Sequence, residues 1–287
     1  LLDMGQDVID MYNRVASGYR GIPLPWPTLS NMTAGMWPQT LTVFVARPGV
    51  GKSAVAVLTA RHAWQQGHPT LIISPEMSKL EIAERFFVTE AKVGYMDVVS
   101  GQLSDAQLPR LIQKAEELKG QDGIRIMDAS DDLSPRGIER AIRAFKPKLV
   151  AIDSLYRLSI KGDRAERLVG ALQWFERAAK TYDFAGVGFA QQNRAAELSA
   201  KKGGGSRLGT IALADEMAQD PHAIFALEQN KDMKDDNRLR IVVLKLRRGR
   251  WTKSHVDVNW DFDNMIFTEI ADGDDGEHYD DEGSFDF

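Results

Sequence analysis

The chain has 287 residues, of which 43% are hydrophobic and 27% are charged, proportions typical of a soluble globular protein. It contains no run of about 18 apolar residues that could span a bilayer, and its first residues lack the basic flank and apolar core of a signal peptide. The absence of cysteine excludes disulfides, thiolate nucleophiles and cysteine-built zinc sites, and it agrees with a reducing, cytoplasmic setting.

The net charge of −5 is unevenly distributed along the chain. Residues 272–287 carry eight acidic side chains and no lysine or arginine, so the remainder has a net charge of +3. An acidic end with few apolar residues predicts disorder. It is either a solubilising end or a segment that docks on a basic partner such as a polymerase.

The hydrophobic pattern predicts an amphipathic helix at residues 3–17, which packs either on its own domain or on a neighbouring subunit. A turn-rich connector follows at 21–27. Short apolar runs then predict buried strands at 41–46, 70–74, 124–127, 148–152, 185–190, 223–227 and 240–245. Helices are predicted at 52–66, 78–92, 104–119, 135–145 and 164–181.

Strands that alternate with helices predict an α/β protein with a mostly parallel sheet covered on both faces. The last apolar runs have no predicted helix between them, so we expect an antiparallel extension formed by 223–227, 240–245, 255–259 and 265–268. The predicted organisation is a linker helix with its connector, one α/β domain and an acidic tail, at 1–28, 29–270 and 271–287.

The segment after the first strand has the pattern of a phosphate-binding loop in its required strand–loop–helix setting. Its residues are Ala46, Arg47, Pro48, Gly49, Val50, Gly51, Lys52 and Ser53. Gly49 and Gly51 allow the backbone to wrap a phosphate. Lys52 supplies a positive charge to the phosphates, and Ser53 offers a hydroxyl to Mg²⁺. A nucleoside triphosphate site is therefore predicted here.

Three other predicted strands end in polar residues suited to such a site. Asp153 follows the strand at 148–152 and is a candidate magnesium ligand, or alternatively a cap for the next segment. Glu76 closely follows the strand at 70–74 and is a candidate base for hydrolysis, or alternatively a charge at a helix N-terminus. Gln191 begins a polar segment that could report whether the γ-phosphate is present.

A cationic segment, Lys245-Leu246-Arg247-Arg248-Gly249-Arg250-Trp251, lies near the end of the predicted β-rich region. Three interpretations compete: a charged strand edge that resists aggregation, a contact to nucleic-acid phosphates, and a cationic finger that completes a neighbour's ATP site.

In their order along the chain, these motifs resemble the RecA-type motor domain of the DnaB family of replicative helicases, from about residue 1 to residue 270. Residues 46–53 are similar to the family's Ala-Arg-Pro-x-x-Gly-Lys-[Ser/Thr], and residues 74–78 to its Ser-Leu-Glu-Met segment, with Pro75 in place of Leu. Residues 149–155 resemble the Walker B strand. Residues 191–194 match Gln-x-Asn-Arg, and 245–249 match Lys-x-Arg-x-Gly.

The resemblance implies a RecA-like P-loop NTPase that uses ATP and Mg²⁺ to translocate on single-stranded DNA and to unwind duplex DNA as a hexamer. By the same resemblance, Glu76 activates water and Gln191 senses the γ-phosphate. Lys245 and Arg247 reach the adjacent subunit's nucleotide, although Arg248 in place of the family's Asn leaves open which arginine is the main finger.

Between Arg194 and Gly209, four basic residues predict a loop that holds the DNA backbone: Arg194, Lys201, Lys202 and Arg207. A solvated linker is the alternative. The family's primase-binding amino-terminal domain has no counterpart in this sequence, which suggests a motor fragment or a shortened, phage-encoded version. Primase, a loader or a polymerase are the expected partners, in a bacterial or host cytoplasm.

Two other functions stay open at this stage. One is a recombinase of the same fold, which uses ATP to hold a filament on DNA. The other is a non-hydrolysing loader or regulatory module, if Pro75 displaces Glu76 from the nucleotide.

Overall fold

The computed structural model describes residues 4–16, 18, 20–191, 220–263 and 265–271. The helices of this part of the chain are α1 (Met4–Ala16), α2 (Pro27–Thr33), α3 (Lys52–Gln65), α4 (Lys79–Ala91), α5 (Tyr95–Val99), α6 (Gln107–Leu118), α7 (Pro135–Phe145), α8 (Arg164–Tyr182) and α9 (Lys231–Asp235). The described residues also contain one 3-10 turn, Leu155–Arg157. All five helices predicted between the strands are present, with small differences at their ends.

The strands are β1 (Leu41–Ala46), β2 (Thr70–Ser74), β3 (Ile124–Asp128), β4 (Leu149–Asp153), β5 (Ala185–Gln191), β6 (Ala223–Glu228), β7 (Arg238–Leu246) and β8 (His255–Asn259). They form one sheet in the order β3-β2-β4-β5-β1-β6-β7-β8. The first six strands in this order are parallel, and β7 and β8 are antiparallel. The mostly parallel sheet with an antiparallel C-terminal extension is confirmed.

Three details of the predicted extension were wrong. Strand β6 pairs in parallel with β1, so it belongs to the parallel part of the sheet. Helix α9 lies between β6 and β7, where no helix was expected, because its five residues are too short for a helical period to show. Residues 265–268 contribute an isolated bridge between Asp261 and Ile266 rather than a strand.

The core lies on both faces of the sheet. Helices α2, α3 and α4 bury apolar residues against one face, and α7 and α8 cover the other. All six residues of β1 are buried, which explains why this strand reads as a continuous apolar run. Phe44 at its centre packs on Phe189 of β5 and Phe225 of β6, with ring centroids 5.4 and 5.2 Å apart. These contacts fix the strand that precedes the phosphate loop.

The connector predicted at 21–27 packs into the same domain. Ile22, Leu24 and Trp26 are buried, and the Trp26 indole donates a hydrogen bond to the carbonyl of Phe267 at 3.2 Å. Helix α1 differs, because its apolar side chains are uncovered: Val8, Ile9, Met11 and Tyr12 are between 50% and 68% exposed. Among the described residues, no helix is both long and apolar enough to cross a membrane.

Candidate nucleotide site

The carboxyl ends of four adjacent strands bring the predicted site residues to one edge of the sheet. In spatial order these strands are β2, β4, β5 and β1. Glu76 lies shortly after β2, Asp153 is the last residue of β4, Gln191 is the last residue of β5, and the phosphate loop follows β1. Ala46 at the head of the loop lies in register beside Gln191. Neighbouring strands are about 4.8 Å apart, so these groups share one cleft.

The phosphate loop adopts a conformation that only its glycines tolerate easily. Gly49 and Gly51 have φ angles of +79° and +103°, in the left-handed region. A Cβ atom on Gly51 would lie 2.7 Å from the indole ring of Trp260, which follows β8 and is almost fully buried. Helix α3 begins at Lys52, within the last two residues of the loop, so its amino-terminal N–H groups and dipole face the cleft.

Asp153 has the environment of a cation ligand. It is 1% exposed, and neither of its carboxylate oxygens accepts a hydrogen bond of ordinary geometry from the described residues. Burial raises the pKa of this carboxyl, while the Ser53 hydroxyl and the Lys52 ammonium act in the opposite direction. A buried carboxylate without a partner beside a serine hydroxyl fits a hard divalent cation such as Mg²⁺.

Glu76 is held through one of its two carboxylate oxygens. Ser154 Oγ and Tyr156 Oη donate hydrogen bonds to Oε1 at 3.3 and 3.1 Å, and Arg157 Nε forms an ion pair with the same oxygen at 2.9 Å. The other oxygen, Oε2, accepts no hydrogen bond from the described part of the chain. Pro75 therefore does not displace Glu76 from the cleft.

Glu76 precedes helix α4 rather than capping it. The helix starts at Lys79, and its first turn is closed by a capping box between Ser78 and Glu81. The Lys79 backbone N–H also donates to the Asp128 carboxylate at 2.9 Å, which anchors this helix to the end of β3. The segment that carries Glu76 is thus held by β2 at one end and by the capped start of α4 at the other.

Gln191 contacts the same turn that holds Glu76. Its Oε1 lies 3.2 Å from the Tyr156 hydroxyl and accepts a hydrogen bond from Arg164 Nη2 at 3.0 Å. The Arg164 guanidinium also lies over the Tyr156 ring, 4.4 Å from its centroid. Sequence reasoning missed Tyr156, Arg157 and Arg164; the available signal was an aromatic residue followed directly by an arginine, three residues after the strand that ends in Asp153.

Lys245 and Arg247 lie at the opposite edge of the sheet from the phosphate loop. Leu246 pairs with Ala223 at the start of β6, and the Arg247 backbone N–H donates to the His222 carbonyl at 2.8 Å. By this register Lys245 is level with Val43 and Arg247 with Leu41, three and five residues, or about 10 and 17 Å, from Ala46 at the head of the loop at a rise of about 3.3 Å per residue. The structure does not bring these cations to the cleft of their own subunit.

The two cations at this edge have different surroundings from Arg248. Burial and the neighbouring Arg247 charge lower the pKa of Lys245 to about 8, and Asp220 opposes this shift. The Arg248 guanidinium lies 6.0 Å from the ring centroid of Trp37, in its own subunit.

The predicted DNA-binding residues Arg194, Lys201, Lys202 and Arg207 lie outside the described residues, as does the acidic tail from 272 onwards. Within the described residues, no cluster of three or more histidine, aspartate or glutamate side chains could hold a metal ion.

Comparison with solved structures shows the same fold. One solved ATPase domain superposes with a TM-score of 0.82 at 20% identity, covering 94% of this chain and 99% of that one. A DnaB-like replicative helicase, solved in a study of its interactions with primase, superposes with a TM-score of 0.79 at 21% identity, covering 93% of this chain and 66% of that one.

Sequence comparison finds replicative helicases among the relatives. The replicative DNA helicase DnaB of Leifsonia xyli subsp. xyli is 26% identical over 256 residues, which are 85% of this chain and 55% of the relative. The DnaB of Geobacillus stearothermophilus is 24% identical, over 85% and 56% of the two chains. The chain thus spans about half the length of these curated relatives. The family model of the DnaB-like helicase C terminal domain matches residues 21–269, and the chain belongs to that family.

Proposed function

We propose that this chain is the ATP-driven motor of a hexameric DNA helicase, with each ATP site shared between two subunits. One observation supports the shared site: along the strand direction, Lys245 lies about 10 Å and Arg247 about 17 Å from the head of their own phosphate loop, and β7, which carries Lys245, is two strands away from β1. Neither side chain reaches the loop of its own subunit from there. Cations placed there serve the nucleotide of an adjacent subunit.

Within one subunit, the phosphate loop and Lys52 bind the triphosphate, and Ser53 and Asp153 would hold Mg²⁺. Bound there, the metal ion supplies neutralisation of charge on the phosphate oxygens. Asp153 suits this role because neither oxygen of its buried carboxylate accepts a hydrogen bond of ordinary geometry from the described residues. Glu76 presents Oε2 to the attacking water and accepts its proton.

Arg247 of a neighbouring subunit would then stabilise the charge that develops on the γ-phosphoryl group. Such a finger supplied in trans contributes roughly 10³ to 10⁵ in rate. Gln191, beside the head of the loop, suits the role of sensing the γ-phosphate. Hydrolysis is thereby tied to assembly.

The substrate and partners follow from family membership. We propose that single-stranded DNA passes through the ring and is held by Arg194, Lys201, Lys202 and Arg207. The uncovered apolar face of α1 supports packing on the next subunit. Replicative partners such as primase, a loader or a polymerase are proposed on the same basis, in a cytoplasmic setting.

A subunit-mixing experiment tests the shared site. Lys52→Ala disables the loop and leaves the finger, whereas Arg247→Ala disables the finger and leaves the loop. Alone, each variant is expected to lose about 10³-fold or more of its ATP turnover. Mixed in equal amounts, they restore turnover, because some interfaces join an intact loop to an intact finger.

An exposed arginine on α6 provides the control: Arg110→Ala should hydrolyse ATP at the wild-type rate. A mixture that stays inactive although both variants assemble with each other contradicts the shared site. Separately, a wild-type chain that hydrolyses ATP on single-stranded DNA but never unwinds a forked duplex contradicts the helicase assignment.

A further inference from the structure

The 3-10 turn Leu155–Arg157 occupies a fixed position between β5 and the cleft. Leu155 is fully buried against Gly188, where an added Cβ would lie 2.7 Å from Leu155 Cδ1. A larger residue at position 188 would therefore push the turn away from the sheet. The absence of a side chain there seats Tyr156 beside the ends of β2 and β5.

The Tyr156 hydroxyl lies within hydrogen-bond distance of two groups of the candidate site. Its oxygen is 3.1 Å from Glu76 Oε1 and 3.2 Å from Gln191 Oε1. A tyrosine hydroxyl carries one proton and can donate to only one of these oxygens at a time. The charged carboxylate is the stronger acceptor, so the proton belongs to Glu76.

Gln191 is held to Tyr156 through Arg164 instead. Arg164 Nη2 donates to Gln191 Oε1 at 3.0 Å, and the same guanidinium lies 4.4 Å from the centroid of the Tyr156 ring. A guanidinium over an aromatic face is attracted by the ring quadrupole. The ring is thus the platform that sets the position of Arg164, and through it the position of the Gln191 amide.

We propose that Tyr156 is a positioning residue that aligns the water-activating carboxylate of Glu76 with the sensing amide of Gln191. This inference rests on the proposed ATPase function. The hydroxyl fixes the plane of the Glu76 carboxylate so that Oε2 faces the water. The ring, acting through Arg164, keeps the Gln191 amide in register with it.

Two substitutions separate the hydroxyl from the ring. Tyr156→Phe removes only the hydroxyl and should lower kcat for ATP about tenfold, with KM unchanged within twofold; this fall corresponds to about 1.4 kcal/mol. Tyr156→Leu removes the ring as well and should lower kcat several-fold further. In a Gln191→Ala background, that further loss should disappear, whereas the effect of Tyr156→Phe should persist in full.

Tyr182 offers a matched control. Its hydroxyl donates to Glu139 at 3.2 Å and an arginine, Arg143, lies over its ring, but it ends α8 at the opposite edge of the sheet. Tyr182→Phe should leave kcat within twofold of the wild type. Binding of a fluorescent ATP analogue with wild-type affinity shows that each Tyr156 variant is folded.

Two results would overturn the inference alone: a wild-type kcat for Tyr156→Phe, or a further loss in Tyr156→Leu that survives unchanged in the Gln191→Ala background. A wild-type chain that does not hydrolyse ATP at all would overturn the proposed function, and this inference with it. The activity of the wild type in the same assay therefore distinguishes the two failures.

Discussion

Replacing Asp153 by asparagine should stabilise the nucleotide-free protein while it impairs nucleotide binding. Asp153→Asn keeps the shape of the side chain and removes a charge that is 1% exposed and without a hydrogen-bond partner among the described residues. A buried group without a partner costs about 1–3 kcal/mol and more when it is charged, so replacing the carboxylate by a neutral amide relieves the part of this cost that is due to the charge. We therefore expect the free energy of unfolding at pH 7.5 to rise by about 1–3 kcal/mol, which corresponds to roughly 2–10 °C in Tm for a chain of this size.

The pH dependence has a defined sign. The folded-state pKa of Asp153 is raised above its ordinary value of 3.8, so the folded state holds the proton to higher pH than the unfolded state does. The contribution of the Asp153 carboxyl to the stability of the wild type is fully present below pH 3.8, and it is lost as the pH rises through the folded-state pKa. The advantage of Asp153→Asn should accordingly shrink as the pH is lowered towards 3.8.

Chemical denaturation of both proteins, with and without Mg²⁺ and a nonhydrolysable ATP analogue, measures the effect. At 100 times its Kd, the bound analogue should stabilise the wild type by about 2.7 kcal/mol and the variant by far less, so the order of stability reverses. Asp105→Asn is the control, because Asp105 is exposed and should change stability by less than about 0.5 kcal/mol. A nucleotide-free Asp153→Asn protein no more stable than the wild type would refute the reasoning.

Two further predictions concern the cationic edge. Gly249 has a φ of +111° and an added Cβ would lie 1.8 Å from the Met32 carbonyl oxygen, so Gly249→Ala should lower the free energy of unfolding by roughly 3 kcal/mol or more. Gly120→Ala, with open space at a φ of +75°, should cost only about 1–2 kcal/mol in the same denaturation assay. The lowered pKa of Lys245 means that, between pH 8 and 10.5, the unfolded state of the isolated chain binds more protons than the folded state. The free energy of unfolding should therefore rise with pH across that range. Lys245→Met should reduce this slope in denaturation curves at pH 8, 9 and 10, and an unchanged slope would refute the lowered pKa.

The sequence was sufficient for those parts of the molecule that are coded locally. The phosphate loop, Asp153 and Glu76 each lie within a few residues of a strong strand pattern, and parallel strands necessarily gather their carboxyl ends at one edge. Burial of β1 on both faces likewise follows from its unbroken apolar run.

Other features depend on contacts between distant segments and could not be predicted in this way. The position of Lys245 and Arg247 follows from the register of β6 with β7, which no local pattern specifies. The packing of Trp260 on Gly51 joins residues more than 200 positions apart. The turn after β4 contacts Glu76 because β2 and β4 are neighbours in the sheet, and no local pattern in the sequence specifies that pairing.

The placement of the loop and the cations on opposite edges of one sheet sets how copies can join. If the proposed shared site is correct, subunits associate head to tail, because the surface that carries the cations differs from the surface that carries the loop. A closed ring then has as many complete pockets as subunits, whereas a ring broken at one seam has one pocket fewer. Opening the ring would inactivate one pocket without changing any residue. ATP turnover per subunit would therefore distinguish a closed ring from an open one.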